Sequence, residues 1–155
     1  MAEAIKKGIE SEGGHATILQ VAETLPAEIL ARMSAPPKRD YAIATPADLL
    51  QYDAYMFGIA ARYGGWPAQF KTFWDATGKL WIDGALTGKF AGAFVSSGGQ
   101  GGGQEASFYS ALSTFVHHGL VYVPLVSNIL PQTRPASCLS RVINTRMPSG
   151  VNTPK

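Results

Sequence analysis

Four groups of residues carry types and spacings that can do chemistry. Gly98, Gly99, Gly101, Gly102 and Gly103 crowd the stretch Ser96-Ser97-Gly98-Gly99-Gln100-Gly101-Gly102-Gly103-Gln104-Glu105. Glycines let backbone approach a ligand closely. The free N–H groups of a following helix favour an anion or the polar edge of a ring. A second glycine-flanked group, Ala60-Ala61-Arg62-Tyr63-Gly64-Gly65-Trp66, adds a guanidinium and a phenol. Both types stack on planar molecules and hydrogen-bond to them. Trp81 lies between the two loops in sequence, and His117-His118 stands before Gly119. An imidazole at a helix C-terminus is favoured when charged. The chemistry implied is non-covalent capture of a planar ligand with a polar edge.

Each group also has a plain structural reading. A glycine run is commonly a surface loop, and Arg62 can be a solvated residue of a routine turn. Trp81 can be half-buried packing, and the histidines can simply end a helix. Topology favours the functional reading. Each loop follows a strand-like run and precedes a helix-like one, and in a parallel sheet both then open on one edge.

Other chemistries find no support. Adjacent histidines on a helix point about 100° apart, and no Cys or acidic partner stands at ligand spacing, so a metal site is not expected. There is no Gly-Lys-Ser/Thr phosphate loop and no Gly-x-Ser-x-Gly elbow, and Gln104 stands where a Gly-x-Gly-x-x-Gly pattern needs glycine. Cys138 is the single cysteine, which excludes a disulfide framework and fits a reducing, cytoplasmic setting. A net charge of +2 without a long basic run gives no footing for nucleic acid. No stretch is long and apolar enough to span a membrane, and Met1–Lys7 does not read as a signal peptide.

The elements that position these groups alternate. Ala2 to Ile9 reads as a helix stopped by Gly13-Gly14, and His15 to Ala22 as a strand. Glu23 to Asp40 is a polar connection broken by Pro26, Pro36 and Pro37. Thr45-Pro46 caps a short helix reaching about Tyr52. Ala54 to Ala60 reads as a buried parallel strand, and Trp66-Pro67 opens a helix carrying Phe70, Phe73, Trp74 and Thr77. Phe90–Val95 is a strand, Gln104–His118 a helix, and Leu120–Val126 a strand. The class is α/β with a mostly parallel sheet. Ser127 to Lys155 shows neither period and is read as a separate, disordered tail. The expected domains are therefore 1–126 and 127–155.

Five motifs in order then point to a family. They are Phe57-Gly58-x-x-x-Arg62-Tyr63-Gly64, Thr72-Phe73-Trp74-Asp75-x-Thr77-Gly78-x-Leu80-Trp81, Gly84-Ala85-Leu86-x-Gly88-Lys89, Gly101-Gly102-Gly103-Gln104-Glu105 and His117-His118-Gly119. Together they resemble the WrbA family, flavodoxin-like NAD(P)H:quinone oxidoreductases, and the Phe-Trp-Asp wording resembles its fungal members. The resemblance runs from about Met1 to Leu125. It implies an open parallel sheet with helices on both faces, non-covalent FMN, NADH or NADPH as donor, and two-electron reduction of a quinone. It also implies a homo-oligomer, a tetramer in the family, whose sites are finished by neighbouring subunits. Carried over by position, Ala61, Arg62 and Tyr63 lie along the isoalloxazine, and Ser97, Gly98, Gly99, Gln100, Gly101 and Gly102 meet it from the second loop. His117 reaches the flavin edge, and Trp81 flanks quinone or nicotinamide.

The departures carry expectations of their own. The family opens with a strand and an FMN-phosphate loop before its first helix; this chain starts about one turn inside that helix. The family's Pro-Thr-Arg reads Ala60-Ala61-Arg62, and its Ser-Thr-Gly reads Ser97-Gly98-Gly99. After Leu125 the resemblance stops. Two further readings thus stand beside the enzyme: an inactive shortened form that acts, if at all, by associating with full-length subunits, and a cofactor-free module that binds another planar ligand.

Overall fold

The computed structural model describes residues 1–124. Three strands form one parallel sheet in the order β1-β2-β3, comprising β1 (Ala54–Ala60), β2 (Phe90–Ser96) and β3 (Val121–Tyr122). The register of β1 on β2 pairs Ala54 with Phe90 and runs unbroken to Ala60 with Ser96. Helices α1 (Ala2–Ser11), α2 (Ala27–Arg32), α3 (Ala68–Asp75), α4 (Gly78–Ile82) and α5 (Gln104–His117), with a 3-10 turn at Pro46–Leu50, complete the described elements.

One face of the sheet is sealed by aromatic packing. Residues at helical spacing, Phe70 and Trp74 on α3 and Ser107, Ala111 and Phe115 on α5, are buried. They converge on Phe57 of β1, whose ring lies 4.8 Å from Phe115, 5.3 Å from Trp74 and 6.2 Å from Phe70. Leu86, Ala91 and Leu120 extend this core. Among the described residues the other face is thinly covered: Met56, Gly58 and Ala60 are exposed, and α1 buries no residue. Its Ile5 and Ile9 line a cavity shared with Met56 and Gly58.

Most expected elements are present, and three expectations are corrected. His15–Ala22 is not a strand; it makes a single parallel bridge, Gln20 with Ile43. The residues have strand character, but among the described residues no strand lies beside them to complete a ladder. The connection 23–40 holds a helical turn, α2, with Pro26 at its N-cap; proline breaks a helix interior but suits its start. Of the strand expected over Leu120–Val126, only Val121–Tyr122 is strand among the described residues, and Trp81 sits on the short helix α4. The expectations for Leu125, Val126 and the tail 127–155 lie outside the described residues.

Two interactions hold the approach to β1. Asp48 closes the capping box of the 3-10 turn, and its carboxyl is held below the usual range by the Thr45 hydroxyl and then the Thr45 N–H. Lys89 Nζ donates to the carbonyls of Leu49, Tyr52 and Leu50 at 2.9, 2.7 and 3.3 Å. It satisfies the end of that turn while lying 5.9 Å from the Tyr55 ring centroid. Burial lowers its pKa. Lys89→Met keeps the stem and removes the donors. It is expected to cost about 1–2 kcal/mol in denaturant unfolding, the usual range for such bonds at a partly exposed site.

Glu23 gives a pH signature. Its carboxylate accepts from the Gln69 side chain and from the N–H groups of Leu25 and Thr24, which bring its pKa down to about 2. A depressed folded-state pKa stabilises above the unfolded value, and that contribution fades as pH falls towards the folded value. Glu23→Gln is therefore expected to flatten the loss of melting temperature between about pH 4.5 and pH 2. Parallel acid-melting curves for the two chains would contradict the assignment.

Candidate functional site

The two loops meet at the C-terminal ends of β1 and β2, as parallel topology requires. Ala61 N–H donates to Ser96 O at 2.7 Å, extending the ladder by one bond into the loops. The first loop then turns back on itself: Arg62 N–H donates to Gly65 O at 2.9 Å, and Gly65 N–H to Arg62 O at 2.8 Å. The turn places Tyr63 at φ 52°, left-handed for a non-glycine residue, with its side chain fully exposed. Such a conformation costs about 1–2 kcal/mol. An exposed aromatic in a strained turn is a functional signal rather than a packing one.

The second loop clasps the first. Gly103, at φ 82°, is the N-cap of α5, and a Cβ there would sit 2.5 Å from Gly64 Cα. Ser107, fully buried on the first turns of α5, donates its hydroxyl to Gly65 O at 3.1 Å and Gly103 O at 2.9 Å. Trp66 Nε1 donates back to Ser107 O at 3.1 Å. Ser107 was not visible as a site residue in the sequence; only its place on the buried stripe of α5 marks it. Gly103 offers no side-chain cap, so the first N–H groups of α5 face the loop mouth. Gly98, Gly99, Gln100, Gly101 and Gly102 are exposed around it. Ser97 is turned inward, its hydroxyl donating to Gly99 O at 2.7 Å, which orders the loop.

A second group forms elsewhere. Trp81 and His117 line one cavity of about 400 Å³ with Lys71, Asp75 and Trp74. The buried indole N–H of Trp74 has no hydrogen-bond partner among the described residues, so an acceptor entering there meets a donor. His118 is structural: its ring nitrogens lie 2.8 Å from Thr77 Oγ1 and 3.1 Å from Thr114 O, and its ring packs edge-on against Trp74. His117 is exposed. The structure thus brings Trp81 and His117 together but does not bring them to the loops. Gly103 and His117 stand at opposite ends of the 14-residue helix α5, about 20 Å apart along its axis.

The geometry therefore offers a polar-edged cradle at a strand-to-helix crossover and, one helix length away, an aromatic and imidazole wall. Comparison with known proteins gives this arrangement its context. Residues 1–133 match the family described as NADPH-dependent FMN reductase. The chain belongs to that family. Its parallel sheet and crossover helices are the flavodoxin-like arrangement of this class. It is 59% identical over 125 residues to the NAD(P)H quinone oxidoreductase PST3 of Candida albicans, covering 81% of this chain and 63% of that protein. It is 55% identical over 125 residues to the P25 protein of Schizosaccharomyces pombe, covering 81% and 62%. The chain thus spans about three fifths of the length of these relatives. Among solved structures it resembles a flavodoxin, WrbA-like protein from Agrobacterium tumefaciens. That likeness has 31% identity, covers 50% of this chain and 49% of the other, and has a TM-score of 0.47. No described helix is long and apolar enough to cross a membrane.

Proposed function

We propose that this chain carries the ring-binding half of an FMN site of the WrbA type, serving two-electron reduction of a quinone by NADH or NADPH. The observation that carries the reading is the clasp of Gly64 on Gly103, which fixes Arg62-Tyr63 and the free N–H groups of α5 around one mouth. A flavin ring has a flat apolar body and a hydrogen-bonding edge, and the described residues fit it. Tyr63 and Arg62 offer faces to stack on, Ala61 and Gly98–Gly102 offer close backbone, and the α5 N-terminus offers donors to the edge. Bound FMN supplies the hydride chemistry, and the net reaction converts NAD(P)H, a proton and a quinone to NAD(P)⁺ and a hydroquinone. The protein's part is position and exclusion of water.

His117 and Trp81 enter this reading from a neighbouring copy. Within one protomer α5 holds them about 20 Å from the loop mouth, whereas a second subunit can present them across an interface. Trp81 and Ile82 are 56% and 76% exposed, so that face is available for association. We place the oligomer in the cytoplasm and assign residues 1–126 to the flavin domain.

The phosphate half of FMN is served less well. The first turn of α1 carries Glu3, engaged by Arg39 and Tyr41, and a carboxylate there disfavours an anion. That carboxylate favours a second reading beside the first, a catalytically inactive form that cannot hold FMN and acts, if at all, by associating with full-length subunits.

Tyr63→Gly tests the ring assignment without confounding it with folding. Glycine relieves the left-handed strain but adds freedom to the unfolded chain, about 0.5–1 kcal/mol, so the two effects nearly cancel. The melting temperature is expected to stay within about 2 °C, while flavin affinity falls roughly 5- to 10-fold, the loss of one stacked aromatic. Unchanged flavin affinity would remove Tyr63 from the site.

A further inference from the structure

Thr77 ties the two walls of the Trp81–His117 cavity together. It is 1% exposed and is the N-cap of α4. Its carbonyl accepts from Trp81 N–H at 3.1 Å, and its hydroxyl lies 2.8 Å from Nε2 of His118 at the C-terminal end of α5. The protons at this hydroxyl can be counted. Thr77 Oγ1 donates to Trp74 O at 2.6 Å, and this uses its only proton. Nε2 of His118 must then donate to Thr77 Oγ1. Nδ1 faces another carbonyl, Thr114 O, at 3.1 Å, and must donate as well. The imidazolium has both N–H groups, whereas either neutral tautomer sets a ring lone pair against an oxygen lone pair. Two further features suit a charged ring. It caps the C-terminal end of α5, where the helix dipole favours a cation. It also meets Trp74 edge-on with centroids 5.0 Å apart, within reach of cation–π attraction. The charged and titratable groups of the packed elements are His117 on α5, Lys71 and Asp75 on α3, paired with each other, and Lys79 and Asp83 on α4, paired at 2.8 Å. Among the described residues none forms an ion pair with His118, so hydrogen bonds rather than a carboxylate hold its proton.

We propose that His118 is a positioning residue whose protonated ring pins the start of α4 to the end of α5 and thereby sets the gap between Trp81 and His117. The link is short. His117 is the chain neighbour of the ring, the ring holds Thr77, and Thr77 holds the backbone of Trp81. Loss of the proton makes one of the two ring contacts repulsive. The element that gives way is α4, because it has five residues and none of them is buried, and so short a helix has little stability of its own. By contrast α5 has fourteen residues and is anchored by Ala111 and Phe115, both 0% exposed. Trp81 then moves relative to His117. This inference rests on the reading above only in giving the gap a planar quinone or nicotinamide ring to receive; the lock itself acts within one protomer and without flavin.

The test uses the full 155-residue chain without flavin, carrying isotope-labelled histidine and fluorotryptophan. Both labels are followed by NMR as pH is raised through the range in which the chain stays folded. His117→Gln and Trp81→Phe assign the signals. At the acid end both ring N–H groups of His118 are expected to exchange with water about 10-fold or more slowly than those of the exposed His15. As the His118 ring loses its proton, the Trp81 fluorine signal is expected to move with the same midpoint, while that of Trp66 stays in place. Thr77→Val removes the hydroxyl at nearly constant shape; it is expected to lose the Trp81 step and keep the His118 step, and Thr77→Ser to retain both. The proposal is overturned if only one ring nitrogen of His118 holds a protected proton at the acid end, if Trp81 does not follow His118, or if Thr77→Val keeps the coupled step. Should Thr77→Val not fold, the parent chain and Thr77→Ser decide. Flavin titration of the same samples is a separate result: a coupled step without flavin binding would remove the reading above and support the lock.

Discussion

Replacing Gly103 with alanine is expected to lower the melting temperature by roughly 6–12 °C and to abolish flavin binding. Two penalties add. The residue sits at φ 82°, where a Cβ costs about 1–2 kcal/mol. That Cβ would also land 2.5 Å from Gly64 Cα and 3.1 Å from Gly64 N. Both neighbours are backbone, so relief requires the two loops to separate, at a further cost of about 1–3 kcal/mol. At about 2–4 °C per kcal/mol for a domain of this size, the sum reaches the stated range. Gly98→Ala is the control: its Cβ meets nothing within 4 Å, and its melting temperature should not move. Calorimetry of the two variants separates the clasp from mere glycine content. Equal behaviour of both variants would mean that the clasp does not hold the site.

Phe115→Ala is expected to destabilise the chain by about 3–5 kcal/mol, the range for a fully buried phenylalanine. Phe115 is 0% exposed and stacks on Phe57 at 4.8 Å, with Trp74 at 5.6 Å. Whole domains are stable by only about 5–15 kcal/mol, so this single ring carries a large share. The loss also loosens α5, whose N-terminus forms half of the loop mouth. Urea unfolding should therefore show a lower midpoint, and flavin binding should weaken although Phe115 lies well away from the mouth. Phe115→Leu, which keeps most of the volume, should cost less than half as much.

The sequence made the strands and the long helices legible because their signals are local. Ala54–Ala60 is a continuous apolar run, and α5 combines a glycine start with a glycine stop. The loop pair was legible for the same reason: glycines in a row mark backbone approach, and parallel topology puts both loops on one edge. Two things were not legible. The side-chain staple of Ser107 on Gly65 depends on a contact between residues far apart in sequence. The separation of His117 from the loop mouth follows from the length of α5, which a motif does not carry. His15–Ala22 shows the limit of pattern reading: strand residues make a strand only where a partner edge exists, and among the described residues only Gln20 finds one.

The most direct test of the account is parallel titration of the 155-residue chain with FMN and with riboflavin, read by quenching of flavin fluorescence. The proposed site, built from Arg62, Tyr63, the glycine loop and the α5 N-terminus, would recognise the ring rather than the phosphate. Both flavins are expected to bind with micromolar affinity, about −7 to −8 kcal/mol, and within a few-fold of each other. Absence of quenching by either flavin, with a cooperative melt showing that the chain is folded, would contradict it.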